Sequence, residues 1–178
     1  LSYPLGTPLF ECGRQGYNMP QTHRLAEQII AELTAQNRTL TTVESCTGGL
    51  VFATMTDIAG SSAVMERGFI TYSNQAKQDL VGVAEETLIA HGAVSEDVAA
   101  EMAMGGYRLS ADGALAVALT GIAGPGGGSL AKPVGLVYIA VADKARCSVF
   151  KHHFSGSRAA IRSAAVASAL TEITNFMA

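Results

Sequence analysis

The sequence predicts an α/β protein: a three-layer α/β/α sandwich around a five-stranded, mostly parallel sheet with one antiparallel strand, the fourth. Three observations carry that expectation. Amphipathic helical segments alternate with short β-branched or apolar runs in the order αβαβααβββα. The run Ala114–Thr120 is apolar at nearly every position, as a strand buried on both faces should be. Asp143-Lys144 separates two further apolar runs by a tight turn, so one strand of the sheet must reverse.

In chain order, Leu25, Ala26, Ile29, Ile30 and Leu33 recur at helical spacing within 22–36. A strand at 39–44 follows, then a helix at 47–58 that stops at Ala59-Gly60, with glycine where a left-handed cap is favoured. The segment 64–73 reads as the second strand, and Asn74 as the cap of a helix through Val81. A short helix at 85–90 precedes a longer one at 96–109. Ser95 caps the longer helix, and Glu96 and Asp97 complement its dipole. Strand 114–120 opens into the glycine-rich loop 121–133. Strands 134–142 and 145–154 form the hairpin, and a helix from 158 to about Phe176 closes the domain.

The 178 residues suffice for one domain with a sizeable core. Residues 19–178 are expected to form it. Positions 1–18 are aperiodic, with two prolines and three glycines, and are expected to be a disordered leader or a segment foreign to the natural chain, whose start would be Met19. A net charge of −3, with basic residues scattered, gives no field for nucleic acid or an anionic membrane. Cys12, Cys46 and Cys147 are an odd number without a CxxC spacing, which is expected of reduced thiols in a cytoplasmic protein. No histidine or cysteine spacing suits a metal, and no cofactor is expected.

Candidate chemistry gathers where the parallel strands end. In an open α/β sheet ligands bind beyond the carboxyl ends of the strands. The turn after the first strand, 72–77, the loop 121–133 and 155–158 all reach that edge. Ser45 ends the first strand and is followed by Cys46, Thr47, Gly48 and Gly49 at the start of a helix. Two readings stand for it. Ser45 or Thr47 is a plain helix cap, or Ser45 is a nucleophile whose oxyanion is held by nearby backbone N–H groups. A nucleophile needs a base, and none of His23, His91, His152 and His153 has a compelling position. Lys77 lies one turn beyond the second strand on the same edge. It is either a solvated helix lysine or a desolvated amine able to take a proton. Tyr72 either packs as a strand aromatic or places its hydroxyl between the two. Ser155-Gly156-Ser157-Arg158, at a helix start, is a candidate anion seat. Thr120, Gly121 and Gly124 are candidates for other substrate contacts. The glycine loop is no P-loop, because Lys132 precedes a proline. Ser45 has Gly48 rather than lysine three residues on, and Val43 two residues before it fails the G-x-S-x-G elbow.

The segments Glu44-Ser45-Cys46-Thr47-Gly48-Gly49, Ala59-Gly60-Ser61-Ser62, Arg67-Gly68-Phe69 and Thr71-Tyr72-Ser73-Asn74 with Lys77 resemble the CinA C-terminal domain family. So do His91-Gly92-Ala93-Val94-Ser95, Gly121-Ile122-Ala123-Gly124-Pro125, Lys132-Pro133-Val134-Gly135 and Phe154-Ser155-Gly156. The stand-alone members are nicotinamide-nucleotide amidases of the PncC type. The resemblance runs from about residue 22 to 176 in the family's own order. It implies the α/β/α fold and deamidation of nicotinamide mononucleotide to nicotinate mononucleotide and ammonia. It also implies a serine nucleophile at Ser45, a lysine base at Lys77 and an assisting tyrosine at Tyr72. The expected partner is thus a small nucleotide substrate, and a homo-oligomer (dimer or higher) is expected. Two other readings are a Ser–Lys amidase for a different amide and a nucleotide-binding or interaction module without turnover.

Overall fold

The computed structural model describes residues 21–178. The segment 1–18 and Cys12 within it lie outside the described residues. Helix α1 (Gln21–Ala35) leads into β1 (Leu40–Glu44), α2 (Leu50–Thr56), a 3-10 turn (Ser61–Ala63) and β2 (Met65–Ile70). Then come α3 (Asn74–Val81), α4 (Glu85–His91), α5 (Glu96–Arg108) and β3 (Leu115–Gly121). Strands β4 (Leu136–Ala142) and β5 (Cys147–His153) precede α6 (Arg158–Met177).

The strands form one sheet in the order β2-β1-β3-β4-β5. Pairings β1–β2 and β1–β3 are parallel, while β4 runs antiparallel to both β3 and β5. Four strands therefore point one way and β4 the other, as expected. The chain leaves β1 for β2 on one side and later returns to β3 on the other. The strand order thus switches direction about β1, and the carboxyl ends there form the crevice where such sheets bind ligands.

Period-2 alternation decides what each face of the sheet receives. Leu115, Val117 and Leu119 of β3, with Val137, Ile139 and Val141 of β4, join a core shared with α1, α2 and α6. The intervening Ala118, Ala140 and Ala142 face the other layer, with Val98, Ala99, Met102 and Ala103 of α5. On β1, Leu40 belongs to the first core and Val43 to the second. A helix can approach an alanine-lined face closely, and α5 does so with Gly106, while its Gly105 admits the end of α3. A Cβ on Gly106 would lie 2.5 Å from Val43 Cγ2, and one on Gly105 would lie 1.9 Å from the carbonyl oxygen of Val81 at the end of α3. The approach of α5 thereby sets the position of α3.

Several boundaries differ from the sequence expectation, most of them by one or two residues, and those beside β1 and β2 bear on the site. The second strand ends at Ile70, and Ser73 rather than Asn74 caps α3, its hydroxyl accepting from Ala76 N at 3.0 Å. Both residues are good cap formers, and the chain uses the one whose backbone is extended. Helix α2 begins at Leu50, not 47, because residues 45–49 form a separate turn.

Candidate active site

Glu44 shapes the turn at the end of β1. Its carboxylate is fully buried and accepts from the backbone N–H groups of Gly49 (3.0 Å), Val51 (3.1 Å) and Phe52 (2.9 Å). Those are the unpaired donors of the first turn of α2, satisfied by a residue outside the helix. The residue at the cap position itself is Gly49, left-handed and without a side-chain cap bond. Neither Ser45 nor Thr47 is the helix cap, so the plain-cap reading of those residues is excluded. The helix N-terminus is also not free to face Ser45, since Glu44 occupies it.

Ser45 continues the alternation of β1 and so shares the side of Val43, the side on which α3 and α5 pack. Its backbone N–H donates to Leu119 O of β3 at 3.0 Å, fixing it at the crevice. Lys77, on the first turn of α3, is 1% exposed. Its Nζ donates to the Thr71 carbonyl at 2.8 Å and lies 3.1 Å from Ser45 Oγ. Thr71 N in turn bonds Glu44 O at 2.8 Å, so β1 and the segment after β2 are registered beside each other just where the two side chains meet. Among the described residues no carboxylate is hydrogen-bonded to the amine. Burial lowers the Lys77 pKa from its ordinary value of 10.5, because desolvation penalises the ammonium. A buried amine with a depressed pKa in contact with a hydroxyl can accept its proton.

The pair opens into a cavity of about 230 Å³, lined by Ser45, Cys46, Tyr72, Lys77, Ala93, Val94, Thr120, Gly121, Ala123 and Arg158. Thr120 donates to the Ala93 carbonyl at 2.6 Å, tying the end of β3 to the α4–α5 connection. Tyr72 is at the mouth, 61% exposed, and its hydroxyl accepts from Arg158 Nη2 at 3.0 Å rather than standing between Ser45 and Lys77. Arg158 Nη1 also donates to the Gly124 carbonyl at 2.8 Å. Gly124 therefore contributes a backbone oxygen that holds Arg158. Ser155 and Gly156 do not line the cavity: Ser157 caps α6, and it is the Arg158 side chain that turns back over the opening. Of the turn residues, Gly48 N is engaged by Ser45 O (3.1 Å) and Gly49 N by Glu44, which removes both as oxyanion donors. The N–H groups of Cys46 and Thr47 donate to no backbone or side-chain oxygen among the described residues. The Cys46 thiol is pushed up to about 11 by burial, so it is a poor rival nucleophile beside Ser45.

The CinA C-terminal domain profile matches residues 22–177, which takes in the sheet, the turn and the cavity entire. The chain belongs to the CinA C-terminal domain family. It is 53% identical to the nicotinamide-nucleotide amidohydrolase PncC of Escherichia coli K12 over 148 residues, 83% of this chain and 89% of that protein. It is 54% identical over 132 residues to a CinA-like protein of Geobacter sulfurreducens, 74% of this chain but 32% of that longer protein. The crystal structure of competence/damage inducible protein CihA from Agrobacterium tumefaciens superposes with a TM-score of 0.86 at 44% identity, covering 92% of this chain and 100% of that one.

Within this CinA fold, two charged residues hold the turn in a way that their sequence positions do not announce. Glu44 reads as the polar end of a strand; the signal was the helix start at Gly49–Leu50, which has no side-chain cap of its own. Arg162 donates from Nε to Cys46 O (3.2 Å) and from Nη2 to Thr47 O (2.7 Å) across more than a hundred residues of chain. Only its place one helical turn after Arg158 hinted that it shares that face of α6. Among the described residues no group of three or more His, Cys, Asp or Glu side chains is placed to hold a metal ion, and no helix is long and apolar enough to cross a membrane.

Proposed function

We propose that this protein is a nicotinamide-nucleotide amidase that hydrolyses nicotinamide mononucleotide to nicotinate mononucleotide and ammonia by a Ser–Lys mechanism. The observation that carries the reading is the 3.1 Å contact between Ser45 Oγ and the Nζ of a lysine that is 1% exposed and, among the described residues, has no carboxylate bonded to it. Amidohydrolase activity is also what the name of the Escherichia coli relative describes.

Neutral Lys77 takes the Ser45 proton as Oγ attacks the carboxamide carbon, and the oxyanion is met by the free N–H groups of the turn. The tetrahedral intermediate collapses with cleavage of the C–N bond. The proton held on Lys77 goes to the departing nitrogen, which leaves as ammonia. Lys77, neutral again, deprotonates a water that attacks the ester on Ser45, and the acid product leaves with the serine restored. The cavity holds the pyridine carboxamide, while ribose and phosphate extend over the exposed mouth. There Arg158 and Tyr72 are the polar groups that would meet the phosphate. Tyr72 is assigned to this contact, since its hydroxyl is turned to Arg158.

Ammonia release from nicotinamide mononucleotide should be rapid in the wild type and lost in Ser45→Ala. Equal release by both proteins would remove Ser45 as the nucleophile. Release by neither, with the nucleotide still bound, would favour a binding module.

A further inference from the structure

The guanidinium of Arg162 reaches the turn from α6 and grips two consecutive carbonyls, Nε on Cys46 O and Nη2 on Thr47 O. A trans peptide is planar, so its C=O and the N–H that follows point in opposite directions. Fixing a carbonyl therefore fixes the N–H on the far side of the same plane. The Thr47 carbonyl, held by Arg162, belongs to the peptide whose N–H is that of Gly48. That N–H donates to Ser45 O at 3.1 Å. The Ser45 carbonyl, held in this way, belongs to the peptide whose N–H is that of Cys46, a residue lining the cavity. The Cys46 carbonyl, held by Nε, fixes the N–H of Thr47 in the same manner. Three successive peptide planes after the nucleophile are thus set by one side chain, and the two N–H groups in them that no oxygen accepts among the described residues are those of Cys46 and Thr47.

The N–H of the residue after a nucleophilic serine is a recurrent oxyanion donor in unrelated hydrolases. Glu44 anchors the far end of the turn on Gly49, Val51 and Phe52. Gly48, at φ 60° in the left-handed region, lets the chain bend between the two anchors. A Cβ added there would lie 3.7 Å from Arg162 Nη2, so the guanidinium sits against the bend.

We propose that Arg162 is a positioning residue for the hydrolytic reaction: its two-carbonyl grip orients the backbone N–H of Cys46, and with it that of Thr47, toward the oxyanion that forms when Ser45 attacks. This rests on the Ser–Lys reading of the site. Arg162 touches no substrate in this account and acts through the turn alone. It differs from Arg158, one turn earlier on the helix, whose side chain lines the cavity itself. Two features of the guanidinium are needed together, a rigid planar fork and a full complement of donors, and lysine has neither in that form.

The test compares wild type, Ser45→Ala, Arg162→Ala and Arg162→Lys. The measurements are kcat and KM with nicotinamide mononucleotide and the Kd of the product acid nucleotide. Loss of a single oxyanion donor costs roughly 10²–10³-fold, and a loosened donor should cost roughly 10- to 100-fold in kcat. The expected result is that fall in both Arg162 variants, with KM and product Kd within about threefold, since the ground state makes little use of these donors. A merely structural role would move KM and product binding together with kcat. If Arg162→Ala does not fold, Arg162→Lys, which keeps length and charge, carries the test. A wild-type kcat in Arg162→Lys would overturn the positioning role, because charge without the fork would then be enough. An inactive wild type, or an active Ser45→Ala, would instead overturn the Ser–Lys reading on which this one stands.

Discussion

The two faces of the sheet are built differently, and the candidate active site sits on the seam between them. Toward α1, α2 and α6 the central strands present Leu115, Val117, Leu119, Val137, Ile139 and Val141, and the helices answer with Ile29, Leu33, Ile161, Leu170 and Ile173. Toward α5 the same strands present alanines, and α5 comes so close to the sheet at Gly106, and to the end of α3 at Gly105, that no Cβ fits. The bulky face buries more apolar area per residue and supplies most of the hydrophobic stabilisation. The close face buries less but leaves its helices fewer places to sit, and Lys77 depends on it. Helix α3 has only eight residues and little intrinsic stability of its own. Its last residue, Val81, is wedged under Gly105, and its first turn carries the amine to Ser45. Stability and catalytic precision are therefore assigned to opposite sides of one sheet.

Lys77→Met removes the proposed base from the close face and should have the largest effect, a loss of ~10⁴-fold or more in kcat with the fold retained by circular dichroism. The pH dependence sharpens this. The depressed pKa of Lys77 means that activity should rise with pH through that value, as the amine becomes neutral. Between that value and 10.5 the unfolded state binds more protons than the folded one. Stability of the wild type relative to Lys77→Met should then increase with pH across the window, by at most about 1.4 kcal/mol per pH unit. A wild type that loses stability relative to Lys77→Met as pH rises would contradict a desolvated amine.

Gly105→Ala should come next. The new methyl meets a carbonyl oxygen, so α5 and α3 must part, at a cost of ~1–3 kcal/mol or more in chemical denaturation. It should also lower kcat by roughly tenfold or more, because a shift of about 1 Å at a reacting group is enough for that. Leu170→Ala on the bulky face should cost ~2–5 kcal/mol of stability. Its kcat, measured below the melting transition, should nevertheless stay within about twofold. If Leu170→Ala damaged kcat as much as Gly105→Ala, the division of labour between the faces would fail. Tyr72→Phe should have the smallest effect on chemistry, raising KM more than it lowers kcat, since its hydroxyl meets Arg158 and not the Ser–Lys pair.

Much of this architecture was legible in the residues. The run Leu115-Ala-Val-Ala-Leu119 announces a strand covered on both sides, and its large–small alternation encodes which helix layer lies closer. Parallel strands ending at Ser45 and near Tyr72 were enough to bring the turn and Lys77 to one edge, because crossover connections fix strand direction. The side-chain detail was not legible where it depends on distant partners. Arg162 meets Cys46 and Thr47, and Arg158 meets Tyr72, only after α6 has packed over the sheet edge, and no local pattern records that. Ser155 and Gly156 looked like an anion seat because a serine-glycine bend before a helix has that form. The helix actually takes Ser157 as its cap, and the arginine turns toward the cavity. Glu44 was hidden for a different reason: a buried carboxylate is improbable on composition alone, yet three backbone donors satisfy it.

The most direct test of the central claim is the identity of the atom that carries the acyl group during turnover. Enzyme mixed with nicotinamide mononucleotide, quenched in acid within the first turnover and digested, should yield an ester on the peptide containing Ser45, on Ser45 itself, with ammonia already released. The adduct should be absent from Ser45→Ala and should not accumulate in Lys77→Met. An adduct on Cys46 or Lys77, or full turnover by Ser45→Ala, would contradict the account.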